Sequence, residues 1–218
     1  MDWILDPGEL AGARIGDDLE PLWLGSEAPV ARPLVADREL AAALRVLAAP
    51  EVRVTIDGNH PDAIHSVRMR GCTAGHRSVL AVQDSKARGG YRGTVRLWSG
   101  PDAALAEHIS YAMPAVHRGQ RPRTDDAATT RALLDAPRIG GGRVTIDSTP
   151  IAATPGPSAT LDWLDIACDG RYLAHAGART TIIPASASTV TAVLDRIIAG
   201  DRLDDPALDM SLIESDAA

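Results

Sequence analysis

The stretch that decides the fold is Arg53-Val54-Thr55-Ile56-Asp57, which recurs as Arg143-Val144-Thr145-Ile146-Asp147, 90 residues further along the chain. In each copy Val and Ile alternate with Arg, Thr and Asp. An apolar period of two is typical of a β-strand with one dry face and one wet face. The recurrence therefore predicts two copies of one strand-rich module.

The segments after the two pentapeptides strengthen this interpretation. The first copy leads into apolar strand patterns at 64–70, 78–83 and 93–98 and an amphipathic helix that Pro114 ends. The second leads into strand patterns at 161–167, 171–175 and 180–183 and a helix at 188–199. We expect an α+β fold: one antiparallel or mixed β-sheet, duplicated about a pseudo-twofold axis, with helices packed on one side. Two unrelated strand-rich segments are the alternative.

Neither half would bury its sheet well alone, so we expect one cooperative domain over residues 1–218. Its halves cover approximately 37–113 and 140–199, and an acidic tail covers 200–218. Further helices are predicted at 37–49 and 124–135, and a helix start at Asp6. Residues 16–36 have an irregular pattern, and the glycines at 140–142 are expected to form a flexible lead-in.

Composition excludes several classes of function. The 218 residues carry a formal net charge of -7, which disfavours binding to nucleic acid. No apolar run approaches the roughly 20 residues that cross a bilayer, and the first residues do not resemble a signal peptide. Cys72 and Cys168 are too few for a disulfide framework. We therefore expect a cytoplasmic protein without membrane insertion.

Motifs that carry chemistry are missing from the sequence. It contains no nucleophile elbow and no phosphate loop, and its six histidines are scattered. Asp162 and Asp165 suggest a carboxylate pair, but residues three apart on a strand point to opposite faces. We expect no catalytic residue, no cofactor and no metal, so binding becomes the default function. An uncharacterised enzyme is the less favoured alternative.

Two places are candidates for binding a partner protein. Trp98 is predicted on the wet face of its strand, and exposed tryptophans are common anchors of interfaces. Alternatively, residues 114–139 cover it. The polar loop at residues 58–63 lies between two strands and is either a partner contact or an ordinary turn. Its candidate residues are Gly58, Asn59, His60, Pro61 and Asp62.

Several strings, taken in order, resemble the EspG family, the cytosolic chaperones of type VII (ESX) secretion in actinobacteria. They cover most of residues 3–199, and they are residues 42–56, 77–84, 95–97, 101–109, 140–142, 163–165, 169–172 and 182–186. The family has a pseudo-twofold α+β fold, which agrees with the repeat. The helical insertions and the candidate loop are shorter here than in the members we compare.

The resemblance implies a chaperone that binds the tip of PE–PPE heterodimers in the cytosol and delivers them for export, with no chemical step. The family's partner regions map onto residues 58–63, the surroundings of Trp98 and the helix at 188–199. Trp163, in the closing segment, joins the partner-binding set. A homo-oligomer is possible but not indicated. The alternative is an adaptor or scaffold with this fold and another protein partner.

Overall fold

A computed structural model describes residues 2–5, 37–59, 66–84, 95–148, 158–176 and 179–201. A 3₁₀ turn, Asp102–Ala104, leads into the second helix. The other elements are, in chain order, β1 (Asp2–Leu5), α1 (Arg38–Ala48), β2 (Val52–Asn59), β3 (Ser66–Ala74), β4 (Arg77–Asp84), β5 (Val95–Pro101), α2 (Leu105–Ala112), α3 (Ala127–Leu134), β6 (Arg138–Ser148), β7 (Ser158–Ile166), β8 (Gly170–Ala176), β9 (Thr180–Pro184) and α4 (Ala187–Ile198).

The nine strands form one antiparallel sheet in the order β1-β5-β4-β3-β2-β6-β7-β8-β9. Read outward from the central β2–β6 pair, the order is β3, β4, β5 on one side and β7, β8, β9 on the other. Helices α1 and α3 precede the two central strands, and α2 and α4 follow β5 and β9. The duplicated α+β fold is confirmed, and β1 is the one strand added outside the symmetric set.

The two pentapeptides pair with each other at the centre of the sheet. Thr55 lies opposite Thr145, Arg53 opposite Asp147, and Asp57 opposite Arg143. The pseudo-twofold axis therefore passes between Thr55 and Thr145. Each arginine lies opposite the aspartate of the other copy in the register, but the ion pairs of Asp57 and Arg143 are made outward, to Arg68 of β3 and Asp162 of β7.

The helices lie on both faces of the sheet, so the expectation that they pack on one side is wrong. The first face is covered by α2 and α4, whose apolar residues share one core cluster with Val54, Ile56, Val144 and Ile146. The second face has a cluster under α1, built on β1 and β3–β5, and another under α3, built on β7–β9. Neither second-face cluster includes a residue of β2 or β6.

Some expectations fall on parts of the chain that lie outside the described residues. These are the helix start at Asp6, the irregular stretch at 16–36 and most of the acidic tail. The extent of a single domain over residues 1–218 stays a prediction. No helix among the described residues is long and apolar enough to cross a membrane.

Candidate functional site

The base of the candidate loop is formed by two glycines under the ring of Trp163. This side chain is fully buried on the first face. A Cβ atom built on Gly58 would lie 2.2 Å from Cη2 and Cζ2 of the ring, and one built on Gly142 would lie 2.2 Å from Cη2. Gly58 and Gly142 are cross-strand partners, so one ring lies across β7, β6 and β2. Only glycine leaves room for it.

The expectation of a flexible lead-in at Gly140, Gly141 and Gly142 is wrong, because all three glycines lie within β6. The register with β7 shifts between Arg138 and Gly140, as at a β-bulge. Gly141 has a φ of 154°, a conformation that other residues rarely adopt. The glycines serve close packing within the sheet.

Asn59 ends β2 and is exposed, opposite Gly141. The loop after it contains His60, Pro61 and Asp62, which lie outside the described residues. The structure thus brings Gly58, Asn59 and Trp163 together at one end of the central strands. Trp163 is fully buried and offers no surface to a partner.

Trp98 lies elsewhere and is half-buried rather than exposed, which corrects its assignment to a wet face. Its ring stacks on His108 of α2, with centroids 3.4 Å apart and planes inclined by 22°. His108 of α2 therefore covers one side of the ring. Trp98 shares a sheet row with Val54, three strands away. At ~4.8 Å per strand and ~3.3 Å per residue, Trp98 and Gly58 are about 20 Å apart.

Helix α4 turns its apolar residues toward the sheet. A capping box between Ser186 and Thr189 starts the helix. Its buried face is part of the first-face core. Its exposed Asp195 has a pKa above the usual value, chiefly because of partial burial and then because of Glu107 on α2. A partner that meets this helix therefore meets its polar outer side and not its apolar face.

Sequence reasoning missed a polar network that fastens residues 114–121 to the hairpin between β7 and β8. Arg171 donates two hydrogen bonds to buried Asp165, of 2.7 and 2.9 Å, and a third of 2.9 Å to the carbonyl of Pro114. Asp162 instead pairs with Arg143, 2.8 Å away. The prediction that Asp162 and Asp165 face opposite sides of the strand is confirmed. Each aspartate has an arginine opposite it on the neighbouring strand, and these arginines were the sequence signal for the two ion pairs.

The second part of the network centres on Asp169 and Tyr172. The Tyr172 hydroxyl donates to Asp169 over 2.6 Å and accepts from the Arg121 amide over 2.8 Å. Burial alone would raise the pKa of Asp169, but hydrogen bonds from Tyr172 and the Gln120 amide, with the charge of Arg121, lower it. Burial, and then the bond to Asp169, raises the pKa of Tyr172 to about 12. The network orders the chain and contains no activated nucleophile.

The described residues give little support for catalysis. Burial raises the pKa of the Cys72 thiol to about 11, so this thiol is protonated and a poor nucleophile at neutral pH. Within the described ranges, no group of three or more His, Cys, Asp and Glu side chains is arranged to hold a metal ion. The arrangement instead offers a closely packed strand end at Gly58 and Asn59, and loops that follow such strands often carry binding residues.

Comparisons with known proteins agree with the resemblance seen in the sequence. A model of the EspG family matches residues 26–125, which include α1, β2–β5 and α2. None of the curated proteins matches significantly. A solved structure of the Mycobacterium tuberculosis type VII secretion system chaperone EspG5, in complex with the PE25–PPE41 dimer, matches with a TM-score of 0.59 and 14% identity. The match covers 91% of this chain and 96% of that one, and at this identity it establishes the fold.

Proposed function

We propose that this chain is a type VII secretion chaperone. It matches the EspG family in sequence over residues 26–125 and EspG5 in fold along most of its length. It binds the tip of a PE–PPE heterodimer in the cytosol and delivers the pair for export. The observation that carries this proposal is the fold match. The neighbour was solved with a PE–PPE dimer bound, and nearly the whole of both chains takes part in the match.

The binding site that we propose is the loop with Asn59, His60, Pro61 and Asp62, on the base that Trp163 holds. The apolar residues of the base are already packed within the chain. The loop can therefore meet a partner without exposing the core, and the rigid base limits the entropy lost on binding. The outer side of α4 is a second contact region.

Binding is reversible and involves no chemical step. The described residues supply polar groups that are already paired, such as Asp165 with Arg171, and a Cys72 thiol that stays protonated. A chaperone needs to cover an apolar surface until delivery and then release it. A non-covalent interface that buries a few side chains meets that need.

The test is coexpression with the PE–PPE pairs of the source organism, followed by size-exclusion chromatography. We expect comigration with at least one pair, and loss of comigration in the variant His60→Ala, Pro61→Ala, Asp62→Ala. The duplication supplies a matched control, because residues 149–157 connect β6 to β7 as residues 60–65 connect β2 to β3. Thr149→Ala with Pro150→Ala should leave comigration intact. Comigration with no pair contradicts the proposal.

A further inference from the structure

A run of basic residues lies against the β7–β8 hairpin and has no part in the binding site proposed above. Residues 117–123 read His-Arg-Gly-Gln-Arg-Pro-Arg, and no acidic residue occurs from His108 to Thr124. All residues of the run except Gly119 are exposed. In a chain with a formal net charge of -7, the run is a local excess of positive charge. We call residues 117–123 the basic strap.

The backbone of the basic strap is held by the β7–β8 hairpin. The amide of Gly119 donates to the Arg171 carbonyl over 3.0 Å, and the amide of Gln120 donates to Oδ1 of Asp169 over 2.9 Å. A Cβ atom built on Gly119 would lie 2.2 Å from Cζ of Tyr172, so the basic strap lies directly on this ring. Its backbone is therefore ordered in the free protein, which limits the entropy lost when a partner binds.

The basic strap lies at the same end of the sheet as the proposed binding site. Asn59 is opposite Gly141, and Gly141 is opposite Leu164, two residues before β7 ends at Ile166. The turn of the β7–β8 hairpin therefore projects from the end of the sheet at which Asn59 lies. At ~4.8 Å per strand, β7 and β8 lie about 10 and 14 Å from β2 across the sheet. A protein bound at Asn59 can therefore reach the basic strap.

Neighbouring carboxylates offset only part of this positive charge. Asp169 is buried and pairs with Arg121, 3.0 Å away. Asp126 caps α3, and Asp125 is exposed beside it. Arg138 is exposed at the start of β6, opposite Ile166, and adds a positive charge on the other side of the hairpin. The exposed groups around the hairpin thus remain positive on balance.

The chemistry of the basic strap favours carboxylates over phosphate groups. The amides of Gly119, Gln120 and Arg121 already donate within the chain, so they do not form a cradle for a phosphate. The strap contains no Phe, Tyr or Trp on which a nucleic-acid base could stack. It presents guanidinium groups spread along six residues, and each can pair with a carboxylate through two charge-assisted hydrogen bonds.

We propose that the basic strap binds a segment of the partner protein that is rich in Asp and Glu, beside the contact at Asn59. Opposite charges at this position would speed association and fix the orientation of the partner. Arg118 and Arg123 have other interactions within the chain, and what they bring to the contact is exposed positive charge. That the partner is a PE–PPE heterodimer rests on the proposed function, whereas its acidic chemistry rests on the basic strap.

The test is a titration of the isolated full chain with octaglutamate at pH 7, followed through its amide resonances by NMR. We expect saturable shifts centred on residues 117–123, with a dissociation constant below about 1 mM. Binding should weaken as the ionic strength rises from about 0.01 to 0.15 M. Arg118→Gln with Arg123→Gln should weaken binding about 3- to 10-fold. Arg45→Gln with Arg179→Gln removes the same charge from exposed positions away from the strap and should bind as the wild type does.

Three results would overturn the proposal. One is a wild-type chain whose strap amides show no saturable shift. Another is equal weakening in the two double variants, which would indicate attraction to net charge alone. The third is tighter binding of octathymidylate or inorganic phosphate than of octaglutamate at the strap. None of these measurements contains a PE–PPE pair, so the chaperone function is judged separately by comigration.

Discussion

At the residue scale, the ring of Trp163 explains why two positions of the central strands, Gly58 and Gly142, are glycine. The loop predicted at 58–63 was wrong at its start, because Gly58 and Asn59 lie within β2, and its remaining residues fall outside the described part of the chain. The packing of this strand end could not be predicted from the sequence. Contact between Trp163 and Gly58 joins residues far apart in the sequence, and a run of glycines taken alone indicates flexibility. Only the strand register brings β7, β6 and β2 under one side chain.

Gly58→Ala should therefore destabilise the protein by about 1–3 kcal/mol, because the new methyl group overlaps the Trp163 ring. Urea unfolding measures the change. Trp163→Phe shortens the ring and makes room, and the indole N–H that it removes has no hydrogen-bond partner among the described residues. The double variant should then lose less stability than the sum of the two single losses. Additive losses would contradict the contact.

Two bidentate Arg–Asp pairs offer a second comparison at this scale. The side chains of Arg171 and Asp165 are 4% and 1% exposed, while those of Arg143 and Asp162 are 63% and 39% exposed. Arg171→Met leaves the Asp165 carboxylate buried without its partner and should cost about 3–5 kcal/mol. Arg143→Met leaves a solvated carboxylate, so its stability should stay near that of the wild type. Equal losses in thermal unfolding would refute this reasoning.

At the element scale, residues 114–121 are held to the sheet by a network that depends on pH. The folded-state pKa of Asp169 is below its usual value, so its charge stabilises the folded state above about pH 4 and ceases to do so as the pH falls through the lowered pKa. Asp169→Asn should be less stable than the wild type at pH 7, and the difference should shrink toward pH 3.

Chemical denaturation at a series of pH values measures that difference. Asp125→Asn, an exposed change near the same segment, is the control for effects of net charge. Hydrogen exchange at residues 114–121 should rise in Asp169→Asn at pH 7, because the Gln120 amide loses a charged acceptor. A wild-type and variant pair whose stability difference is constant with pH would show that Asp169 has no such role.

The strands show how much of the fold the sequence contains. The approximate positions of the strands along the chain can be read from apolar periodicity, although several bounds shift by two to four residues, as for the strand predicted at 64–70 and found at Ser66–Ala74. The pentapeptides alternate strictly because β2 and β6 have one face in the main core. In β4, Val79, Leu80, Ala81 and Val82 are apolar in succession, which is typical of a strand covered on both faces. Helices on both faces could have been predicted from that run. Which helix covers which face depends on tertiary packing, so the sequence alone could not predict it.

At the scale of the whole molecule, the central pair joins the two halves through β2 and β6. Each half leaves an unpaired edge and an incomplete core when it is alone, so we propose that the chain unfolds as one unit. Variants that keep Trp98 or Trp163 as the single tryptophan report on the first and the second half. Their fluorescence transitions in urea should coincide with each other and with circular dichroism. Two separate transitions would instead indicate two domains.

The register of the central strands also bears on ancestry. In Arg-Val-Thr-Ile-Asp, antiparallel pairing about the threonine sets arginine against aspartate and valine against isoleucine, as β2 and β6 do. The same five residues would pair equally well with an identical copy of themselves. A half-length forerunner thus needed only to assemble with its twin through this strand. Gene fusion would then have preserved this pairing between the halves and freed each half to diverge.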